Sequence, residues 1–160
     1  MDQARQVLRC GREDTEGLTG SGVGVAVLDT GIYPHDDFGG RIAAFFDVLH
    51  KRPDPYDDNG HGTHVCAIIG GDGRCSQGCY QGMAPGCSLT AVKVLDARGS
   101  GFASDVLAGL RWIRENRKRF GIRVVNISVG SWSRRNMSEN SALVRGVDAA
   151  WDEGLVVVVA

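Results

Sequence analysis

Apolar residues gather into short blocks, separated by stretches rich in glycine, proline and aspartate. Val25-Ala-Val-Leu-Asp29 follows Gly20-Ser-Gly-Val-Gly24 and reads as a buried, β-branched strand that ends on a carboxylate. Thr30 and Gly31 then turn the chain. A second extended stretch is predicted over Ala43 to Leu49, and the loop KRPDPYDDNG after it is barred from regular structure by two prolines and a run of acidic and amide residues. From His61, the segment HVCAII reads as an apolar-sided helix closed by Gly70 and Gly71. Asp72 to Gly86 reads as loop, and Ser88 to Leu95 as a further strand. Phe102, Val106, Leu110, Ile113 and Arg117 recur at steps of four, four, three and four, which is helical spacing, and this helix should stop before Gly121. Arg123 to Val129 is predicted as strand, Ser138 to Asp152 as a helix with Ser138 as its N-cap, and Leu155 to Val159 as strand.

Alternating strands and helices predict an α/β fold with a parallel sheet covered on both faces. In such sheets ligands collect at the carboxyl ends of the strands, so Asp29 and His61 are expected at the same edge. A chain of 160 residues with 42% hydrophobic content suits one domain. Its 18 Lys+Arg against 19 Asp+Glu point to neither a nucleic-acid partner nor an anionic membrane. The basic cluster Arg111, Arg114, Arg117, Lys118 and Arg119 is expected on a solvated helix face. Met1 to Gly17 carries early charges without an apolar core, so it is not read as a secretory signal. The longest apolar run, Leu155 to Ala160, falls far short of the ~20 residues a bilayer span requires. Five cysteines without a signal favour reduced thiols in a cytoplasmic setting.

The candidate chemistry centres on Asp29 and on Asn59-Gly-His-Gly-Thr-His-Val65. A carboxylate accepting from one imidazole nitrogen fixes the tautomer and raises the basicity of the other nitrogen, as a general base needs. An aspartate satisfying a turn beside a histidine capping a helix explains the same residues, and the separate motifs leave both readings open. Zinc at His61 and His64 with Asp57 or Asp58 fits poorly, because zinc helices place histidines four apart with an intervening Glu. His64 is expected to be packed, and His35 and His50 to be loop residues. Gly99-Ser-Gly101 resembles a nucleotide-binding turn, but Ser104 stands where a third glycine belongs and Asp96 and Asp105 would repel a pyrophosphate. Cys75, Cys79 and Cys87 have poor zinc spacing and read as free thiols, with a metal site as the lesser alternative.

Taken together, VAVLDTGI (25–32), NGHGTHVCAII (59–69), GMAPG (82–86), LTAVKVLDARGSG (89–101) and VVNISVGS (124–131) resemble the subtilisin-like serine proteases, the subtilases, in order and in spacing. The resemblance runs from about Gly20 to Ala160, with residues 1–19 as an N-terminal extension to a partial peptidase domain. It implies a three-layer αβα fold with a mainly parallel sheet, incomplete at the C-terminus. It also implies serine endopeptidase activity, with Asp29 as triad acid and His61 as general base. Gly99, Ser100 and Gly101 would lie on one side of an extended polypeptide substrate and Ser128, Val129 and Gly130 on the other, by strand addition. Phe102 and Val129 would offer apolar subsites.

This sequence departs from the family's pattern in several places. The family's serine sits in a Gly-Thr-Ser-x-Ala segment, and none occurs in these residues; the oxyanion-hole asparagine is also lacking. In subtilisin, losing the serine alone costs about 10⁶-fold in turnover. The chain is therefore expected to be a truncated, inert part of a longer protease. The alternative is a non-catalytic peptide-binding or regulatory pseudoprotease. No cofactor is required for the reaction. Calcium is allowed as a structural ion because Asp37 resembles a family ligand position, although the cysteine-bearing loop 72–82 does not match the usual calcium loop. Met1 to Thr19 looks more like an intracellular branch of the family, and oligomeric state is left open. Cys66 only approximates the thiol of the thiol-bearing subtilases, which sits one position earlier.

Overall fold

In a computed structural model of the protein, which describes residues 5, 7, 16–130 and 141–160, the first apolar block forms strand β1 (Gly24–Asp29), buried along its whole length. Four more strands follow in chain order: β2 (Ile42–Asp47), β3 (Ser88–Lys93), β4 (Ile122–Ile127) and β5 (Val156–Val159). They lie side by side as β2-β3-β1-β4-β5 and every neighbouring pair is parallel. The carboxyl ends of all five strands therefore share one edge, with the end of β1 between those of β3 and β4.

Helix α1 (His61–Gly70) packs on one face, and helices α2 (Ala103–Asn116) and α3 (Ala142–Asp152) cover the other. The alternation along β1 explains the three layers. Val25 and Val27 point to the α1 side with Cys66, Leu89 and Ala91, while Ala26 and Leu28 meet Val106, Leu110 and Ile113 of α2. Each fully buried side chain of this kind contributes about 1.5–3 kcal/mol, so a one-residue register slip would expose both sets. On β5, Val157 joins the α2/α3 core, whereas Val156 and Val158 remain about half exposed on the α1 side. Among the described residues nothing covers them.

Several element ends differ from the sequence expectation, each for a local hydrogen-bonding reason. β2 stops at Asp47 rather than Leu49 because the Asp47 carboxylate accepts the Leu49 and His50 N–H groups (both 2.9 Å) and turns the chain. β3 stops at Lys93 because the N–H groups of Val94 and Leu95 both turn towards the Asp29 carbonyl (2.9 and 3.2 Å). α3 is capped by Ser141, whose hydroxyl accepts from Val144 N–H at 3.2 Å; the expected cap, Ser138, lies outside the described residues. The basic cluster is only partly a free face. Arg114 and Arg117 both grip Glu153 at the end of α3, and Arg111 pairs with Glu115 one turn on.

Candidate active site

Three features at the carboxyl edge bring the start of α1 against the end of β1. The first is Gly31, at φ +127°, where an added Cβ would lie 2.2 Å from the Tyr56 carbonyl oxygen. Only glycine tolerates that conformation and that approach. Gly62 is the second: its Cβ would fall 2.3 Å from the Gly31 carbonyl oxygen, so the helix sits almost directly on the turn. The third is Asp57. Its Oδ1 accepts from the Gly60 amide (2.9 Å) and the Thr30 hydroxyl (2.8 Å), and its Oδ2 accepts from the amide and hydroxyl of Thr63 (2.9 and 2.6 Å). Gly60, the N-cap, has no side chain to offer, so the free N–H groups of the first turn find side chains elsewhere: Asp57 accepts that of Thr63, Thr30 that of Gly62 and Asn59 that of His61. Burial alone would raise the Asp57 carboxyl, but the Thr63, Gly60 and Thr30 hydrogen bonds outweigh it and hold it at about 2.

Thr30 links the two elements again, since its hydroxyl accepts from Gly62 N–H at 2.9 Å. Beneath it, Lys93 is fully buried, and its ammonium donates to the carbonyls of Thr30 (2.6 Å) and Leu95 (2.9 Å) and to Asp58 (2.6 Å). The Nζ also lies 5.1 Å from the centre of the Tyr56 ring.

This scaffold holds His61 Nδ1 at 2.8 and 2.9 Å from the two carboxylate oxygens of Asp29. Asp29 is 1% exposed and also accepts the Thr30 amide at 2.7 Å, while the His61 side chain is 52% exposed. An ionised carboxylate can only accept, so in the neutral ring the proton belongs on Nδ1 and the lone pair on Nε2. The structure thus joins the strand-end carboxylate to the helix-start imidazole and leaves Nε2 on the side of the ring away from Asp29.

The strand order sets the flanks. Gly99–Gly101 follows β3 and Ser128–Gly130 follows β4, so the two segments stand on either side of the β1 end. The Gly99 segment is exposed and tied by Asp96, which accepts from Arg98 and Ser100 N–H (2.9 and 2.8 Å), with Gly99 at φ +74°. Gly101 is required by the protein's own backbone, because its Cβ would sit 2.3 Å from the Val94 carbonyl oxygen. Around Gly130, by contrast, a Cβ would meet nothing within 4 Å among the described residues. Ser128 accepts from the Asn126 side chain at 2.7 Å, Val129 packs partly on the core, and Phe102 is 76% exposed.

Other expectations are corrected. His64 is exposed rather than packed. Asp57 and Asp58 are committed to the helix start and to Lys93, and among the described residues His61 and His64 belong to no group of three potential metal ligands. Cys66 is wholly buried, and burial pushes its thiol well up, so it is no nucleophile. Cys87 is likewise a core residue and belongs to no loop cluster with Cys75 and Cys79. His35 is a loop residue, as expected, and gathers with Asp37 and Cys75. That donor set of imidazole, thiol and one carboxylate does not fit calcium, which takes six to eight oxygens. Sequence reading missed the roles of Asp57 and Lys93; the one available signal was a lone lysine inside an otherwise apolar strand.

The sequence profile of the Subtilase family matches residues 20–160. The chain belongs to the subtilase family. Among relatives of this subtilase, the serine protease AprX of Bacillus subtilis (strain 168) is 43% identical over 161 residues, covering 98% of this chain and 36% of the relative. Subtilisin Savinase of Lederbergia lenta is 44% identical over 144 residues, covering 90% of this chain and 49% of the relative. The crystal structure of a cold adapted subtilisin-like serine proteinase superposes with a TM-score of 0.72 at 32% identity, over 89% of this chain and 47% of the other. The subtilase segment described here therefore spans between about a third and a half of these relatives. No helix among its described residues is long and apolar enough to cross a membrane.

Proposed function

We propose that this chain supplies the acid and base of a serine endopeptidase acting on extended polypeptides. The observation that carries the reading is the 2.8 Å contact between buried Asp29 and half-exposed His61, which leaves Nε2 facing outward at the sheet's carboxyl edge. In this reading His61 Nε2 takes the hydroxyl proton of a serine as its oxygen bonds to the scissile carbonyl carbon. The same proton passes to the leaving amine nitrogen as the C–N bond breaks, and water then repeats the two steps on the acyl-enzyme. Asp29 keeps the ring oriented and stabilises the imidazolium. Segments 99–101 and 128–130 bind the substrate backbone as neighbouring strands, which favours no particular sequence, and Phe102 and Val129 add apolar preference.

The serine and the oxyanion-hole asparagine belong to sequence outside these 160 residues, which on their own are inert. Support comes from the absence of a Gly-Thr-Ser-x-Ala segment in the chain. The cytoplasm is the proposed location, on the strength of four unbridged thiols among the described residues. Labelling of the whole protein with a fluorophosphonate probe tests the reading. One serine should be modified in the wild type and none at a comparable rate in His61→Ala. Equal labelling of both would overturn it, and extended-peptide binding without any labelling would favour the non-catalytic alternative.

A further inference from the structure

Two loops that are far apart in sequence meet beside the open end of α1. His35 caps a single 3₁₀ turn, Asp36–Phe38, and Cys75 lies in another, Arg74–Ser76. The main chain ties them firmly. Cys75 N–H donates to Asp37 Oδ1 at 2.8 Å, and the Asp37 carbonyl accepts from Asp72 N–H (2.9 Å) and Arg41 Nη2 (2.7 Å). As a result one donor atom each from His35, Asp37 and Cys75 lies within 4.8 Å of the others, and His35 Nδ1 is 3.9 Å from Asp37 Oδ2. Tetrahedral zinc, with bonds of about 2.0–2.3 Å, places its ligands about 3.3–3.7 Å apart. The donor atoms need close by only about 1 Å, within the reach of the exposed His35 and Cys75 rotamers about the more buried Asp37. His35 and Cys75 line an open cleft of about 750 Å³, so an ion can reach them and a water can complete its shell.

We propose that His35, Asp37 and Cys75 form a mononuclear site for a divalent transition ion of the zinc class. The donor chemistry selects the class. A thiolate and an imidazole favour zinc or cobalt(II) over calcium and magnesium, which prefer oxygen throughout. The charges also close, because one thiolate and one carboxylate neutralise a divalent cation. Binding forms the S–metal bond as the thiol proton leaves to solvent, with no change of oxidation state. Arg74 lines the same cleft, but its guanidinium is engaged by Asp72 at 2.7 Å, so it is held by an anion of its own. The ion would pin loop 72–82 to the segment that follows the Asp29 turn.

Cobalt(II) titration of the reduced full chain under anaerobic conditions provides the test, with no activity needed. The expected result is saturation at one equivalent, with tetrahedral visible bands and a sulfur-to-cobalt charge-transfer band that zinc abolishes and excess calcium does not. Cys75→Ser should remove the charge-transfer band, and His35→Asn and Asp37→Asn should each weaken binding at least tenfold. Cys79→Ser should leave every signal in place. Circular dichroism checks that each variant is folded, and His35→Asn tests the site independently should Cys75→Ser fail that check. A charge-transfer band that survives Cys75→Ser, one lost with Cys79→Ser, displacement of cobalt by equimolar calcium, or no saturable binding would each overturn the proposal.

Discussion

Gly62→Ala asks whether the helix start is pressed onto the Asp29 turn as tightly as the structure shows. The new Cβ would lie 2.3 Å from the Gly31 carbonyl oxygen, 2.9 Å from the Gly31 nitrogen and 3.2 Å from Asp29 Cβ. All but the last are backbone atoms, and the backbone is held by Thr30 and Asp57, so the helix must retreat by about 1 Å to reach ordinary contact. A 2.8 Å bond from His61 to Asp29 then stretches towards about 3.8 Å, where it no longer counts as one. If Gly62 were simply a helical glycine, alanine would stabilise the protein by up to about 1 kcal/mol. Overpacking of about 1–3 kcal/mol and the weakened contact to Asp29 reverse that sign, leaving a net loss of about 2 kcal/mol. Thermal melts should register this, with a fall in Tm of about 4–8 °C for a chain of this size. Proton NMR should show loss of the downfield His61 Nδ1–H resonance. Gly130→Ala is the control, since its Cβ meets nothing within 4 Å among the described residues and it should change neither signal. A Gly62→Ala variant as stable as the wild type, with the resonance retained, would refute the reasoning.

Three further perturbations probe the same scaffold. Asp57→Asn should cost about 2 kcal/mol at neutral pH, as a carboxyl held at about 2 against an unfolded value of 3.8 stabilises the fold fully above 3.8 and loses that contribution as pH falls towards about 2. The difference in urea stability between wild type and variant should therefore shrink across that window, and a pH-independent difference would count against the assignment. Lys93→Met should destabilise by about 2–3 kcal/mol, because it strips the donor from two buried carbonyls; the figure is kept low since Asp58 is 41% exposed and can be hydrated. A loss under 1 kcal/mol in a denaturant melt would argue that the buried ammonium holds little. In Asp29→Asn the ring is no longer forced to carry its proton on Nδ1, so nitrogen NMR should report a changed tautomer, and turnover of the whole protease should drop by about 10⁴-fold; an unchanged Nδ1-protonated ring would contradict the orienting role of Asp29.

The strand blocks around Val25, Leu89 and Val124 and the helical spacing of Phe102 to Ile113 were legible because burial imposes a period that short apolar runs display directly. Element ends were less so, since they are set by side chains elsewhere. Asp47 and the Asp29 carbonyl end β2 and β3 through hydrogen bonds that no local pattern records. The pairing of Asp29 with His61 could be expected from strand-end and helix-start positions, and the subtilase resemblance raised it above the turn-and-cap alternative. Asp57 stood in a run of acidic loop residues where composition cannot tell a helix anchor from a solvated charge. His35 and Cys75, separated by forty residues, meet only because Asp37 joins two loops. His64 was misjudged because its side of α1 lies open among the described residues.

Hydrolysis of an extended fluorogenic peptide by the whole protein, compared with His61→Ala under saturating substrate, tests the central claim most directly. The account predicts that turnover collapses by several orders of magnitude, in line with the roughly 10⁶-fold loss known for the histidine of subtilisin itself, while circular dichroism at the assay temperature shows the variant folded, with its melting temperature lowered because Asp29, 1% exposed, loses its imidazole partner. Turnover within tenfold of the wild type would show that His61 is not the base.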